Sequence, residues 1–381
     1  MIKIAIIGAG NAGCITALHF YKYLSEDEIC DSFEISIYHS PDEHPIEKVG
    51  QGTTLTVVGL IDSTLGLNWY DNKIGSTFKS GILYENWGKK NDKIFHPFGM
   101  ADMSMHFVPK KLSEEVIKSN LFKVYEKTII NPEKEIDADV IFDCRGRHNR
   151  DESNYESIVN PLNSVLLSKK KGRDSNLIYT KAVATPNGWT FVIPNQDSVS
   201  YGYLFNNTIT DRKDAIIDFV ERFDVDEIHD ELNFKNYRAK NFYNGSRTIL
   251  QGNMYGFVEP MEATSLAFYQ FICRQAWDFI FKIQSLDYCN EQIRTNMKQL
   301  ENIILWHYQF GSKFDTPFWE YAKSLPFNPD KKFYEMISDE KNDPEQYGQW
   351  KKWNFDNWKS GVMKFENSKI IDTLYLLFWN L

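Results

Sequence analysis

The sequence has few cysteines, and their spacing does not suggest a structural site. Five cysteines are scattered through 381 residues, without a CxxC pair or a dense framework. This usage is typical of a reducing compartment, so we expect a cytoplasmic protein. The eight histidines are also dispersed, and none stands at ligand spacing from a cysteine or a carboxylate. No metal site is predicted.

The sequence also lacks an excess of positive charge and long apolar runs. Its formal net charge is -9, which argues against nucleic-acid binding through phosphate contacts. No window approaches the roughly twenty apolar residues of a membrane helix. The apolar start at residues 1–10 lacks the basic region and cleavage site of a signal peptide. A Gly-x-Ser-x-Gly elbow and a P-loop are absent as well. We expect neither nucleic acid nor a membrane as a partner.

Apolar and aromatic residues are plentiful, and they indicate a folded protein with a sizeable core. Hydrophobic residues make up 42% of the chain and aromatic residues 15%. The length suits two domains, or one large domain with a cap. The composition becomes helical and aromatic near residues 271–284. We therefore predict a discontinuous first domain at 1–275, with an inserted sheet, and a helical, aromatic-rich cap at 276–381.

A glycine-rich motif follows the first predicted strand. Residues 2–7 form an apolar run typical of a parallel strand buried on both faces, and the next six residues are Gly8-Ala9-Gly10-Asn11-Ala12-Gly13. Residues 14–23 have helical spacing and precede a second strand at 35–38. In this context the first glycine makes a tight turn, the second lets the backbone approach a pyrophosphate, and the third allows close helix packing. A glycine-rich turn without a ligand is the alternative. We predict a Rossmann-like dinucleotide site in an α/β fold.

The dinucleotide is predicted to be FAD rather than NAD. Tyr38-His39-Ser40 ends the second predicted strand, where an NAD-binding sequence carries an acidic residue. A single dinucleotide motif also favours a tightly held flavin over a flavin plus a nicotinamide site. Reducing power must then come from a separate protein. A further predicted strand ends in Asp143-Cys144-Arg145-Gly146, an Asp-x-x-Gly pattern that is frequent in flavoproteins.

Lys79 stands among small and apolar residues at 75–87. If this stretch is one strand, alternation divides it into two faces. One face carries Lys79, Gly81, Leu83 and Trp87, and the other carries Phe78, Ser80, Ile82 and Tyr84. The lysine then either extends along apolar surface to reach water or projects into a cavity. The strand alone favours the first alternative, and the rest of the chain favours the second.

Later segments predict further strands and two helices. Residues 188–194 and 201–205 are a candidate antiparallel pair, and residues 249–252 form a late strand. A strongly helical run covers 264–283, with Thr264 or Ser265 as its N-cap. The start of this helix can hold an anion or the electron-rich end of a flavin ring. Another helical segment covers 287–308.

Over most of its length the chain resembles flavin-dependent halogenases of the tryptophan-halogenase type. The flavin loop of that family is matched at Gly8 to Gly13, and its second glycine loop is matched loosely at Gly50 to Thr53. The family's lysine stretch is matched by Phe78, Lys79, Ile82, Asn86 and Trp87. Its glutamate stretch is similar to Val258-Glu259-Pro260-Met261-Glu262-Ala263-Thr264-Ser265, which makes Glu262 the counterpart. His307-Tyr308 and Asp315-Thr316-Pro317-Phe318-Trp319 are similar to a further family stretch.

The resemblance implies a function and a set of site residues. FADH2 from an external reductase, O2 and a halide ion would give hypohalous acid, which halogenates an electron-rich, tryptophan- or indole-like substrate. Lys79 would direct the oxidant, and Glu262 would stabilise the cationic ring and take its proton. The substrate would lie against His96, Phe98 and Trp358, and the halide against Ala263, Thr264 and Ser265. The implied cofactor-binding residues are Gly8, Gly10, Asn11, Ala12, Gly13, His39, Gly50, Gln51, Gly52, Thr53, Asp143, Gly146, Gly256 and Ser265.

The implied fold is an FAD-binding Rossmann-like domain of the aromatic hydroxylase/glutathione reductase-2 type, with mixed sheets and a C-terminal helical substrate-binding subdomain. Some positions depart from the family. Phe191 replaces the second tryptophan of the Trp-x-Trp-x-Ile-Pro motif, and Ala263 and Ser265 replace a serine and a glycine. The halide preference therefore stays open, and a homodimer is compatible with the sequence.

Two alternative functions remain. The first is a related FAD-dependent aromatic monooxygenase or oxidoreductase that uses no halide. Hydroxylases of this fold usually carry Gly-Asp-Ala-Ala where this chain has Gly252-Asn253-Met254-Tyr255, which counts against it. The second is a non-catalytic flavin-binding protein, which gives no role to the joint presence of Lys79 and Glu262.

Overall fold

The computed structural model describes ten ranges of the chain. They are residues 1–41, 49–53, 55–67, 72–87, 93–97, 104–146, 152–172, 174, 176–261 and 263–329. The strands in these ranges are β1 (Ile2–Ile7), β2 (Phe33–His39), β3 (Gln51–Gly52), β4 (Thr77–Lys79), β5 (Gly81–Glu85), β6 (Lys93–Pro97), β7 (Ser104–Phe107), β8 (Lys123–Glu126), β9 (Val140–Asp143), β10 (Tyr155–Ser157), β11 (Ser164–Lys171), β12 (Thr180–Thr185), β13 (Gly188–Pro194), β14 (Ser198–Phe205), β15 (Asp230–Asn233), β16 (Tyr237–Ala239), β17 (Thr248–Leu250) and β18 (Gly256–Phe257). The helices are α1 (Asn11–Glu26), α2 (Leu55–Leu65), α3 (Pro109–Lys118), α4 (Pro132–Glu135), α5 (Arg212–Phe223), α6 (Ser265–Ile280), α7 (Leu286–Phe310) and α8 (Pro317–Ser324).

A five-stranded parallel sheet forms the first half of the fold. Its strand order is β17-β9-β1-β2-β8, and each neighbouring pair is parallel. The apolar run of β1 is central and its last four residues are buried, as a strand covered on both faces requires. Helix α1 follows directly after the glycine motif and packs against α6 and α2. The predicted strand, turn, helix and strand are confirmed.

A seven-stranded mixed sheet forms the second half. Its order is β15-β11-β14-β13-β12-β5-β6, and every neighbouring pair is antiparallel except β12 with β5. The predicted antiparallel pair of residues 188–194 and 201–205 is therefore confirmed. Two three-stranded sheets complete the described part of the chain. Their orders are β10-β16-β18 and β3-β7-β4. This combination of parallel and mixed sheets confirms the predicted α/β class.

The stretch around Lys79 differs from the single predicted strand. Strand β4 ends at Lys79 and belongs to the β3-β7-β4 sheet, whereas β5 begins at Gly81 and belongs to the seven-stranded sheet. Between them Ser80 donates its backbone N–H to Ile178. The chain passes from one sheet to the other at this residue. The predicted alternation therefore fails across Ser80, because it assumes one sheet and one pleat.

Helix α7 packs in both hydrophobic cores. Its first half contributes Cys289, Ile293 and Met297 to the core beside the parallel sheet, which also contains residues of α1 and α6. Its second half contributes Ile304 and Tyr308 to the core beside the seven-stranded sheet. The domain boundary predicted between residues 275 and 276 falls within α6, and it stays a prediction. No helix in the described ranges is both long enough and apolar enough to cross a membrane.

Candidate functional site

The glycine motif brings three chain segments together at the carboxyl edge of the parallel sheet. Gly8 has φ +104, a conformation that favours glycine, and a Cβ added there would lie 2.8 Å from the carbonyl oxygen of Cys144. A Cβ added to Gly13 would lie 1.8 Å from the oxygen of Gly8. Both positions therefore require glycine, because helix α1 starts in direct contact with the turn and the turn touches the neighbouring strand end.

The first turn of α1 fits an anionic ligand. Gly10 is the N-cap residue, no side chain caps the helix, and the first turn contains no acidic residue. The Oδ1 atom of Asn11 is buried without a hydrogen-bond partner in the described part of the chain. The unpaired N–H groups and the helix dipole attract negative charge at this end. Gly10, Asn11 and Ala12 are thus suited to hold the diphosphate of a dinucleotide.

Two other predicted cofactor residues end the strands on either side of β1. His39 ends β2, and its Nδ1 atom lies 3.4 Å from the carbonyl oxygen of Ser40. Asp143 ends β9, and its carboxylate accepts hydrogen bonds from Arg145 at 2.9 Å (Nε to Oδ1) and 2.7 Å (Nη2 to Oδ2). The carboxylate of Asp143 is thus engaged by an internal ion pair that sequence reasoning missed. In the sequence, only the Asp-x-Arg spacing of Asp143 and Arg145 indicates this ion pair. Gly146 follows with φ +85, in open space.

A late glycine outside the predicted set touches the flavin loop. Gly252 has φ +62, and a Cβ added to it would lie 2.4 Å from the Cβ of Ala12. The predicted Gly256 instead lies in β18, where an added Cβ would meet Met297 and the carbonyl oxygen of Tyr237. Packing alone accounts for glycine at position 256. Its cofactor role stays a prediction.

Lys79 is almost completely buried. Its exposed fraction is 1%, which contradicts a side chain that reaches bulk water. A Cβ added to Gly52 would lie 2.9 Å from the Nζ atom of Lys79, so the amine rests over the glycine backbone. Gly52 and Lys79 lie in β3 and β4, on either side of β7. The structure therefore joins the second glycine loop to the lysine.

The rest of that loop is held by the protein itself. Gly50 donates its N–H to the hydroxyl of Ser200, and an added Cβ would collide with Asn195. Thr53 donates its N–H to the carbonyl oxygen of Met105 at 2.9 Å. Thr53 is buried, and Gln51 is partly exposed. The cofactor roles predicted for Gly50, Gln51, Gly52 and Thr53 stay predictions, but the loop has a clear role in shaping the surroundings of Lys79.

A neutral histidine lies next to Lys79. His106 is fully buried, and burial followed by the nearby charge of Lys79 lowers the pKa of its imidazole well below the usual value. Thr77 donates its hydroxyl to Pro194 at 2.8 Å, so it can only accept from Nδ1 of His106 at 3.2 Å. Nε2 must then accept from the hydroxyl of Thr180 at 2.8 Å. Burial keeps the histidine uncharged beside the lysine, and in that neutral ring the two contacts place the proton on Nδ1.

A buried glutamate lies between the second core and the start of α6. Glu259 is 2% exposed and accepts hydrogen bonds from the hydroxyl of Tyr308 at 2.6 Å and from Nε1 of Trp189 at 3.1 Å. Burial raises the pKa of its carboxyl to about 7, and the hydrogen bonds oppose this shift. Sequence reasoning assigned Trp189 and Tyr308 to family motifs and gave Glu259 no role. The sequence feature that could have pointed to Glu259 is the presence of two carboxylates, Glu259 and Glu262, in the mostly apolar stretch at 258–265.

The predicted halide residues surround the start of α6. Ala263 has φ +50, in the left-handed region, and donates its N–H to the carbonyl oxygen of Pro260 at 3.0 Å. Thr264 occupies the N-cap position, and Ser265 is the first helical residue. The cap position was predicted, but the expected side-chain cap is wrong, because no side chain caps α6. The amide of Ala263 is engaged by Pro260, so an anion at this turn would bind to the amides at the start of α6 instead.

Four predicted residues cannot be described at the side-chain level. Glu262, Phe98 and Trp358 lie outside the described residues, and His96 is described only as backbone, paired with Ile82 across β6 and β5. The roles predicted for them stay predictions. Phe191, the departure in the tryptophan motif, lies with its ring against Gly202 of the neighbouring strand, where an added Cβ would be 2.1 Å away.

A family model matches almost the whole chain. The model described as "Tryptophan halogenase" covers residues 3–112 and 120–366. The chain belongs to the tryptophan halogenase family. Its resemblance to that family, inferred from the motifs, is thereby confirmed.

Known tryptophan halogenases are distant relatives in sequence. Tryptophan 7-halogenase RebH of Lentzea aerocolonigenes is 24% identical over 251 residues, which cover 59% of this chain and 47% of RebH. Tryptophan 6-halogenase ThaL of Streptomyces albogriseolus is 25% identical over 153 residues, 39% of this chain and 29% of ThaL. The chain thus spans less than half the length of these family members.

Solved structures of the family share the fold over nearly the full chain. BrvH, a flavin-dependent halogenase from Brevundimonas sp. BAL3, superposes with a TM-score of 0.77 at 17% identity, covering 97% of this chain and 92% of BrvH. A tryptophan halogenase from Shewanella frigidimarina NCIMB 400 gives a TM-score of 0.75 at 17% identity, covering 100% and 93%. The FAD-binding Rossmann-like architecture predicted for this family member is therefore confirmed.

Proposed function

We propose that this protein is a flavin-dependent halogenase that uses FADH2, O2 and a halide ion to halogenate an electron-rich aromatic substrate of the tryptophan or indole type. A separate flavin reductase would supply the reduced cofactor. Family membership supports the reaction class, and the names of RebH and ThaL suggest the substrate class. The observation that carries the proposal is the burial of Lys79, whose amine rests over Gly52 inside the protein.

A buried amine suits the control of a diffusible oxidant. Hypohalous acid that escaped into water would react with the protein or be lost. The Lys79 amine can hold the oxidant as a haloamine, or donate a hydrogen bond to its oxygen and so make the halogen more electrophilic. His106 stays neutral and adds no competing charge beside the lysine. The lysine is then the one cationic group facing the oxidant from β4 and β7.

The flavin would be held at the carboxyl edge of the parallel sheet. Reduced FAD would supply the two electrons that reduce O2 to the peroxide level, at which it can oxidise the halide. Gly10, Asn11 and Ala12 offer the uncapped start of α1 to its diphosphate. The uncapped start of α6, at Thr264 and Ser265, would hold the halide through backbone amides and the helix dipole. Ala263 would border the halide with its left-handed backbone, since its own N–H donates to Pro260.

Glu262 would complete the reaction on the aromatic ring. When the halogen bonds to a ring carbon, the ring becomes cationic and must lose its proton from the same carbon. A carboxylate stabilises that cation and accepts the proton, which restores the aromatic system. Stacking on His96 and Phe98, with Trp358 as a further contact, would set the ring position that reacts.

The decisive experiment supplies each ingredient separately. The purified protein is mixed with FAD, an unrelated flavin reductase and NADH in air, with tryptophan or indole, and with chloride, bromide or neither. We expect a product that carries the halide's isotope pattern in mass spectra, formed only with halide and oxygen. A hydroxylated product that forms without halide would instead establish the monooxygenase alternative. Oxygen consumption without any modified substrate in a broad aromatic screen would contradict both.

A further inference from the structure

The turn before α6 is tied to the rest of the protein by a buried carboxyl group that the proposed reaction does not use. One oxygen of Glu259 accepts from Tyr308 of α7, and the other accepts from Trp189 of β13. These donors belong to a helix and to a strand of the seven-stranded sheet. The side chain thus joins both elements to the segment that runs into α6.

The backbone of the same residue is also fixed. The N–H of Glu259 donates to the side-chain oxygen of Asn236 at 2.9 Å, and the amide of Asn236 donates to Leu162 at 3.1 Å. One residue later the chain enters the turn closed by the hydrogen bond from Ala263 to Pro260. Whatever holds Glu259 therefore also fixes the start of the turn.

Placing a carboxyl group at this buried position costs free energy. Glu259 lies in a core of aromatic and aliphatic side chains, and both of its side-chain hydrogen-bond donors named above are neutral. Burying an acid without a cationic partner costs free energy that an apolar side chain of similar size avoids. A leucine could fill the volume, but it would leave the indole N–H and the phenol without their acceptor. The carboxyl is thus suited to hold two particular donors in a fixed arrangement.

We propose that Glu259 is a positioning residue of the halogenation site, which fixes the turn closed by Ala263 and Pro260 by holding Trp189 and Tyr308 together and thereby sets the placement of the first turn of α6. This inference rests on the proposed function, because the placement of that turn matters for the reaction only if it holds the halide. The contacts that fix the turn can be tested without any turnover.

Three variants and one control separate positioning from general stability. Glu259→Leu removes both acceptor oxygens at similar volume, Tyr308→Phe removes one donor, and Glu259→Gln keeps an acceptor for Trp189 and a donor for the Tyr308 oxygen. Tyr203→Phe is the matched control, because Tyr203 is also buried and donates to a carboxylate, that of Asp218, at 2.8 Å. Tyr203 lies in a separate cluster packed against α5.

Amide hydrogen exchange of the peptide that contains Ala263 gives the first readout. We expect its exchange to be about tenfold faster in Glu259→Leu, faster to a smaller extent in Tyr308→Phe, and unchanged in Glu259→Gln and Tyr203→Phe. If Glu259→Leu does not fold, Tyr308→Phe against Tyr203→Phe decides the question alone. Wild-type exchange in Tyr308→Phe, or equal acceleration in Tyr203→Phe, would overturn the proposal.

Turnover gives the second readout. With FAD affinity unchanged, we expect Glu259→Leu to lower kcat by about 100-fold, and Glu259→Gln to restore most of it. The KM for bromide should rise by about tenfold in Glu259→Leu, because the amides at the start of α6 are no longer held in place. An unchanged KM for bromide together with the lower kcat would contradict the role. If the wild type itself forms no halogenated product, the proposed function fails, while the exchange result still decides whether Glu259 fixes the turn.

Discussion

At the scale of single residues, the burial of Lys79 explains the glycine at position 52. The amine lies over Gly52, and His106 beside it is kept neutral by burial and by the charge of Lys79. The sequence predicted the lysine and the glycine loop separately. It could not predict their contact, because strands β3 and β4 meet only through β7, which follows both in the chain.

Replacing Lys79 tests the role of its amine directly. Lys79→Ala should abolish formation of halogenated product while FAD stays bound, because the residue directs the oxidant and the cofactor site lies on the parallel sheet. The measurement pairs mass spectrometry of the product with flavin absorbance after gel filtration. Lys181→Ala, a lysine at the surface of β12 that pairs with Glu85, is the control and should keep full activity. A fully active Lys79→Ala enzyme would be incompatible with the proposed mechanism.

Gly52 should be sensitive to a single methyl group. Gly52→Ala places a Cβ 2.9 Å from the amine of Lys79, which must move. We expect halogenation to fall by about 100-fold with little loss of stability, because the displaced atom ends a flexible side chain. Gly59→Ala on α2 is the control, since nothing lies within 4 Å of an added Cβ there, and it should stabilise the helix by about 0.5–1 kcal/mol. If Gly52→Ala instead weakens FAD binding and leaves the reaction rate of bound enzyme unchanged, Gly52 serves the cofactor.

The raised pKa of Glu259 predicts how stability depends on pH. The carboxyl titrates near 4.3 in an unfolded chain and at about 7 in the folded protein. Between these values the folded state keeps a proton that the unfolded state has released. The stabilisation that the protonated carboxyl gives is therefore fully present below about pH 4.3 and is lost as the pH rises toward about 7. The free energy of unfolding should therefore fall by up to about 1.4 kcal/mol per pH unit in this window.

Glu259→Gln removes that titration and provides the comparison. Urea unfolding at pH 5, 6 and 7 should show the variant gaining stability relative to the wild type as pH rises. Parallel pH profiles of the two proteins would mean that the carboxyl titrates at an ordinary pKa.

At the scale of elements, the start of α6 combines an unusual backbone with an uncapped helix. Ala263 adopts a left-handed conformation that costs an alanine roughly 1 kcal/mol. The side chain of its N-cap residue, Thr264, makes no capping hydrogen bond. The helix was predictable from its apolar spacing, but this turn was not, because alanine gives no local signal for positive φ.

Substitutions at Ala263 should follow backbone preference. Ala263→Val should lower the free energy of unfolding by more than about 1 kcal/mol, because a β-branched residue tolerates positive φ poorly. Ala263→Gly should be neutral within about 1 kcal/mol, since its relief of strain is offset by the greater freedom of the unfolded chain. Thermal melts of the three proteins check the order. A valine variant as stable as the wild type would show that Ala263 does not adopt the left-handed conformation.

Most elements could be predicted from local pattern. The run at Ile2–Ile7, the motif at Gly8 to Gly13 and the long helix α7 each have a clear period or a required residue type. The stretch through Lys79 was misjudged, because the alternation of residues continues while the chain changes sheets at Ser80. Sequence alternation reports which residues share a face, and it does not report to which sheet that face belongs.

At the scale of the whole molecule, α7 connects two cores, and the predicted boundary at 275/276 would separate this helix from both of them. Its first half is packed beside α6 and the parallel sheet, and its second half is packed beside Trp87 and Trp189 of the second core. The predicted boundary follows composition, which marks where helices begin. Packing depends on which faces those helices bury, and that is decided by residues far apart in sequence.

A fragment of residues 1–275 should therefore not fold by itself. It lacks Cys289, Ile293 and Met297, which are buried against the rest of the first core, and each buried apolar side chain contributes roughly 1.5–3 kcal/mol. We expect a non-cooperative thermal melt and strong binding of a hydrophobic dye, whereas the full chain melts cooperatively. Residues 1–284, which keep all of α6, are the control for simple truncation of that helix and should behave like the shorter fragment. A cooperative melt of residues 1–275 would establish two independent domains.

The burial of Lys79 has a consequence for chemical labelling. Bulky amine-reactive reagents acylate lysines that they can reach from solvent, and a side chain that is 1% exposed is not among them. Lys79 should stay unmodified in the folded protein while surface lysines become labelled, and it should become reactive once the chain is unfolded. The residue proposed to handle the strongest oxidant in the reaction is thus also the best shielded from outside reagents among the lysines whose burial is described.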